Sequence, residues 1–169
     1  QKRLWSHSAD KTLMASMASA TNGDVPEKWM ILGTTGWLGG MLIELLTAKG
    51  KNFVLANSRN YNRESLAAEL DEHKPTHVLN AAGVTGRPNV DWCEFNQAEA
   101  LRSNVIGSMN VADLCEARGI HHTLYATGCI FEYDEDHTIG GKGFTEDDKP
   151  NFTGSFYSKT KGYLEDMLR

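Results

Sequence analysis

A doubly wound α/β domain built on a parallel sheet is the fold class this sequence predicts, and two observations predict it. Short apolar runs alternate with stretches of helical periodicity from about residue 28 onward. The first of those runs passes directly into a glycine-spaced turn that opens a helix, and a second apolar run follows that helix. Strand, glycine turn, helix, strand is the order of a βαβ unit.

The elements follow in chain order. Residues 1–27 carry Ser, Ala, Thr, Asn, Gly and Lys without sustained apolar spacing, and they are expected to be a flexible tail or linker. A short helix around Lys11–Met17 is the competing expectation. Trp29-Met30-Ile31-Leu32 predicts the first strand. Gly33-Thr34-Thr35-Gly36-Trp37-Leu38-Gly39 predicts the turn, and Leu38, Met41, Leu42, Leu45 and Leu46 predict an amphipathic helix that stops at Gly50. Phe53–Ala56 predicts the second strand. A polar loop, Asn57–Asn62, leads to a helix through Leu66 and Leu70 to about His73. Pro75 ends it, and His77–Ala82 predicts the third strand. Asp91-Trp92-Cys93-Glu94 falls in a loop. Leu101, Val105, Met109, Ala112 and Cys115 predict one long helix that ends at Gly119. His122–Thr127 predicts a fourth, central strand, and Glu132–Pro150 an acidic loop over the site. Leu164, Met167 and Leu168, spaced helically from Lys161, predict the last helix.

Composition excludes several classes. The chain has 169 residues, enough for one domain with a core. Its net charge of -5, with no basic stripe, argues against nucleic-acid binding. No apolar run approaches the roughly 18 residues of a membrane span. The cysteines Cys93, Cys115 and Cys129 are odd in number and lack C-x-x-C spacing, so a reducing, cytoplasmic setting is expected. Asp134, Glu135, Asp136 and His137 lie together but have no second cluster at ligand spacing, so no metal is expected.

Gly33-x-x-Gly36-x-x-Gly39 supplies a tight turn, a close backbone approach to a pyrophosphate and close helix packing, with free N–H groups at the helix start. With Trp37 and Leu38 it forms the expected dinucleotide cradle of a Rossmann fold. The residue type at the end of the second strand selects the cofactor: an acid grips the ribose 2′-hydroxyl of NAD, and an arginine accommodates the 2′-phosphate of NADP. Ser58 and Arg59 stand there, so NADP(H) is expected, with Arg63 a second candidate for the phosphate. Tyr157 and Lys161, four residues apart on a helix, share one face about 5–6 Å apart. An ammonium beside a phenol lowers its pKa and makes it a proton donor.

The glycine turn, Asn80-Ala81-Ala82-Gly83, Asn104-x-x-Gly107 and Tyr157-x-x-x-Lys161 together resemble an extended short-chain dehydrogenase/reductase acting on nucleotide sugars. Gly36–Gly40, the runs Asn80–Glu94, Ala126–Tyr133 and Lys149–Lys161 more specifically resemble the nucleotide-rhamnose epimerase-reductases. The resemblance covers residues 29–169. It implies NADPH-dependent reduction at C4 of a nucleotide 4-keto-6-deoxyglucose, with Tyr157 as proton donor, Lys161 tuning it and holding the nicotinamide ribose, and Thr127 orienting the ketone oxygen. It adds Asn80, Ala81 and Ala82 to the cofactor residues. Cys129, two residues past Thr127, is implied to exchange protons at C3 and C5 before reduction. Cys115 is read as packing, Cys93 as a loop thiol without a base, and Asn104 as a core residue bonding backbone.

Members of this family continue past the tyrosine helix into further strands and a small substrate domain that carries a second acid. The chain is therefore expected to be a fragment whose carboxy-terminal part is absent and which turns over little alone. Two alternatives stay open: a GDP-fucose-type or other nucleotide-sugar reductase, and a catalytically silent NADP-binding module. The expected partner is a nucleotide-sugar substrate. Helices of this fold commonly pair, so a homodimer is a further expectation.

Overall fold

The computed structural model describes residues 26–145 and 147–169. The expected helix around Lys11–Met17 lies outside the described residues, as does all but the end of the expected tail. Four parallel strands form one sheet: β1 (Trp29–Leu32), β2 (Phe53–Leu55), β3 (His77–Asn80) and β4 (His121–Leu124). Their order is β2-β1-β3-β4, with Met30 beside Val54 on one side and Val78 on the other. The chain thus builds outward from β1 in one direction, then returns to build in the other. That reversal opens a crevice past the carboxyl ends of β1 and β3, where ligands of open α/β sheets bind.

Helices α1 (Trp37–Ala48) and α2 (Arg63–His73) connect the first three strands. Strand alternation sends successive side chains to opposite faces, and the core divides accordingly. Met30, Leu32 and Val78 pack with Leu66 and Leu70 of α2 and with Val111, Leu114 and Cys115. Ile31 and Leu79 pack with Leu42 and Leu46 of α1 on the other face. Leu66 is wholly buried, so its truncation to alanine would remove roughly 2–5 kcal/mol.

Several boundaries differ from expectation, each where tertiary contacts override local pattern. The strands end at Leu55, Asn80 and Leu124, shorter than the expected Phe53–Ala56, His77–Ala82 and His122–Thr127. Asp91–Glu94 is not a loop: Trp92–Phe95 forms a single helical turn, α3, and Cys93 is fully buried in it. The long helix is interrupted. α4 (Gln97–Ala100) runs into a wide π-helical turn, Leu101–Ile106, before α5 (Gly107–Glu116) continues. β4 lies at one edge of the sheet that the described residues form. Beyond it come a 3₁₀ turn, Gly128–Ile130, and α6 (Phe156–Leu168). Between these, His137 sits stacked on Phe144 with Nδ1 2.9 Å from Asp134 Oδ1, so the acidic loop is braced internally. Among the described residues, no helix is long and apolar enough to cross a membrane.

Candidate active site

The glycine turn after β1 touches the turn after β3. Gly33 has φ +79°, and a Cβ there would sit 2.5 Å from the Ala81 carbonyl carbon and oxygen. Any side chain would therefore force the two turns apart. A Cβ at Gly39 would run into the Gly33 carbonyl, so α1 starts directly against the turn. Gly36 caps α1 in extended conformation without a side-chain hydrogen bond, and the first turn holds no acidic residue. Its N–H groups consequently face the crevice without an internal competitor, as an anion site requires.

A cleft of about 350 Å³ opens there, and Gly33, Gly36, Ser58, Arg59, Ala81 and Ala82 line it, all of them expected. Asn80 lies wholly buried behind it, its Oδ1 accepting from the Ala82 N–H at 3.1 Å. Gly39 supports the turn from behind. Trp37 and Leu38 are not in the lining; they lie on α1, 80% and 39% exposed. Thr34, Thr35, Asn57, Asn60, Tyr61, Val84 and Ser103 line the cleft without having been foreseen. Most neighbour the expected motifs in sequence. Ser103 carries no local signal, because the π turn delivers it from far along the chain.

The loop after β2 is held at its start by Glu69 of α2, whose carboxylate accepts from the N–H groups of Asn57 at 3.0 Å and Ser58 at 3.2 Å. The Arg59 guanidinium has no hydrogen-bond or ion-pair partner among the described residues, so it remains available to a ligand. Arg63, the second phosphate candidate, pairs instead with Asp113 on the exposed flank of α5 and does not line the cleft. Asn104 bonds backbone as expected, but to the loop beside the cleft. Its Oδ1 accepts from the Val84 N–H at 2.7 Å and its Nδ2 donates to the Val84 carbonyl at 2.8 Å.

Tyr157, Thr127 and Cys129 converge. The Thr127 side chain reaches the Tyr157 phenol, and its Oγ1 also accepts from the Cys129 N–H at 3.2 Å, capping the 3₁₀ turn. Cys129 is exposed, and its thiol acts on the phenol electrostatically, as does that of Cys93. Cys93 packs with Ala100 against Tyr157, so it is part of the tyrosine's packing rather than a loop thiol. Two caps fix the start of α6: Ser155 Oγ accepts from the Ser158 N–H at 3.0 Å, and Glu94 Oε1 accepts from the Phe156 N–H at 2.6 Å. The second cap ties α3 to the residue before the tyrosine.

The expected tuning is reversed. Burial is the largest influence on Tyr157 and raises its pKa above the usual phenol value. Thr127 opposes the shift, and Lys161 is not among the groups that move it. Lys161 is itself 7% exposed, and burial lowers its pKa. It makes no hydrogen bond among the described residues. Its Nζ lies 3.7 Å from where a Cβ on Gly83 would stand, close to the cofactor cleft. Thr127 and Lys161 also line a second groove of about 1060 Å³ along the free edge of β4, with Leu124, Ile130, Leu164 and Leu168. The smaller cleft has the phosphate chemistry. The larger shares Thr127 and Lys161 with the tyrosine's surroundings. Among the described residues, no cluster of three or more His, Cys, Asp or Glu side chains is placed to hold a metal.

Residues 27–169 match the RmlD substrate binding domain family. The chain is 49% identical over 156 residues to a bifunctional dTDP-4-dehydrorhamnose 3,5-epimerase/dTDP-4-dehydrorhamnose reductase of Arabidopsis thaliana, covering 90% of this chain and 52% of that protein. It is 46% identical over 168 residues to a trifunctional UDP-glucose 4,6-dehydratase/UDP-4-keto-6-deoxy-D-glucose 3,5-epimerase/UDP-4-keto-L-rhamnose-reductase of the same plant, covering 97% of this chain and 25% of that one. Its fold is similar to that of the L780 UDP-rhamnose synthase from Acanthamoeba polyphaga mimivirus, with a TM-score of 0.77, 36% identity, and coverage of 85% of this chain and 52% of that chain. The chain therefore spans from a quarter to about half the length of these relatives.

Proposed function

Because the chain belongs to the RmlD substrate binding domain family, we propose that it supplies the NADP(H) cleft and the catalytic tyrosine of a 3,5-epimerase/4-ketoreductase. Its substrate is a nucleotide 4-keto-6-deoxyglucose and its product nucleotide-L-rhamnose. The relatives' named activities support this reading. The observation that carries it is the meeting of an exposed Cys129 with Thr127 at the Tyr157 phenol.

The dinucleotide fits the residues present. The start of α1 would hold its pyrophosphate, and Ser58 with the unpaired Arg59 would hold its 2′-phosphate. When bound, it supplies the hydride that reduces C4. Thr127 orients the ketone oxygen, and Tyr157 donates its proton to the forming alkoxide. Burial keeps that phenol protonated at neutral pH, as a donor must be. Lys161 stands beside Gly83, where it would hold the nicotinamide ribose. In the preceding step, the Cys129 thiolate removes a proton from carbon α to the ketone. Inversion then requires a second acid on the opposite face of the ring.

The test uses the chain itself and the chain joined to the carboxy-terminal half of the bifunctional relative. Each is incubated with UDP-4-keto-6-deoxyglucose and NADPH in deuterated water. NADPH oxidation with deuterium at C3 and C5 is expected from the joined form, and Cys129→Ala should stop the deuterium while sparing direct reduction. Cofactor binding without oxidation in either form would replace the enzyme by a silent NADP-binding module.

A further inference from the structure

Asn60 is an unusual residue for a cofactor loop, because it is 5% exposed although both its neighbours lie at the surface. Its Nδ2 donates to the Ser103 carbonyl at 2.8 Å, and its own carbonyl accepts from Asn110 Nδ2 at 3.3 Å. The side chain enters a socket that exists only because residue 107 is glycine: a Cβ there would be driven into the Asn60 amide.

The π turn makes the acceptor available. Gly107 donates its N–H to the Arg102 carbonyl, five residues back, rather than to Ser103 as an α-turn would have it. Ser103 can then take Asn60, while the next residue, Asn104, holds Val84 on the other side of the cleft. One widened turn thus grips both loops that border the cleft.

Arg59 lies between two fixed points. Ser58 N–H is held by Glu69, and Asn60 is locked onto the π turn through Ser103 and onto α5 through Asn110. Its guanidinium meanwhile has no partner among the described residues. We infer that Asn60, seated in the Gly107 socket, is the positioning residue that aims Arg59 at the 2′-phosphate and so sets the preference for NADP(H) over NAD(H). The inference rests on the proposed NADP(H) site. Asn60 touches no phosphate itself; it acts by removing the backbone freedom that Arg59 would otherwise lose on binding.

The experiment measures dissociation constants for NADPH and NADH by nucleotide fluorescence, with thermal midpoints, in the unaltered chain and in Asn60→Ala, Arg59→Ala and Asn60→Ala/Gly107→Ala. The unaltered chain should prefer NADPH, and Arg59→Ala should abolish the preference. Asn60→Ala should weaken NADPH about five- to tenfold, the scale of one lost hydrogen bond, and leave NADH within about twofold. In the double variant the new methyl fills part of the vacated socket, so the midpoint should recover towards that of the unaltered chain while the preference stays lost. Equal weakening of both nucleotides by Asn60→Ala would overturn the inference, as would a preference that returns together with stability. No NADPH preference in the unaltered chain, with no effect of Arg59→Ala, would overturn the cofactor reading and the inference with it.

Discussion

Asn104 closes a two-point ring with Val84, accepting from its N–H at 2.7 Å and donating to its carbonyl at 2.8 Å. Both residues are far apart in sequence, and Asn104 is wholly buried. Removing it would orphan two backbone groups beside the cleft. A buried group left unpaired costs about 1–3 kcal/mol. Asn104→Ala is therefore expected to lower unfolding free energy by about 2–4 kcal/mol in urea titration. Asn104→Asp, which sets an unpaired carboxylate against the Val84 carbonyl in a wholly buried site, should destabilise at least as much as Asn104→Ala at neutral pH. Equal stability of Asn104→Ala and the unaltered chain would show that the ring contributes nothing net.

Lys161 is a buried cation that nothing among the described residues pairs, and that arrangement opposes stability. Lys161→Met keeps the stem and removes the charge, so it should raise the thermal midpoint at pH 7. The sign with pH follows from linkage. Burial depresses the folded lysine's pKa, so its unfavourable contribution is fully present below that depressed value and fades as pH rises toward the ordinary lysine value. The advantage of Lys161→Met should therefore shrink between neutral pH and about pH 10. An advantage that grows over that range would contradict the assignment. If Lys161 holds the nicotinamide ribose as proposed, the same variant should also weaken NADPH binding, measured by nucleotide fluorescence.

The three thiols should separate cleanly on alkylation. Cys129 is exposed, whereas Cys93 and Cys115 are fully buried. Burial raises both of the latter, and Cys115 is pushed up to about 11. The thiolate is the reacting species. Iodoacetamide at pH 8 on the native chain is expected to modify Cys129 alone, read by peptide mass spectrometry, and all three after denaturation. Native labelling of Cys93 at a comparable rate would mean that the packing around Tyr157 opens readily.

What was legible from residue order alone in this protein is what is local. Alternating apolar runs and helical spacing specified β1 to β3, α1, α2 and α6, because strand and helix periods are properties of neighbouring residues. The glycine turn was legible for the same reason: Gly33 needs its positive φ within a few residues of β1. The Tyr157 and Lys161 spacing was equally visible, and so was the acid-free end of β2 at Ser58 and Arg59.

Only the tertiary structure decided what depends on distant residues meeting. Periodicity predicted one helix through Leu101–Cys115. The structure widens it at Leu101–Ile106, and the wide turn holds Asn60 and Val84, which no local pattern in the helix encodes. Arg63 was a second phosphate candidate after Arg59, and only the fold shows α5 bringing Asp113 beside it. The sign of the Tyr157 shift also depended on packing. A lysine one turn away suggests a lowered pKa, but Lys161 does not move the phenol, and burial among Cys93 and Ala100 raises it, because desolvation is set by everything around a group and not by its place in the chain.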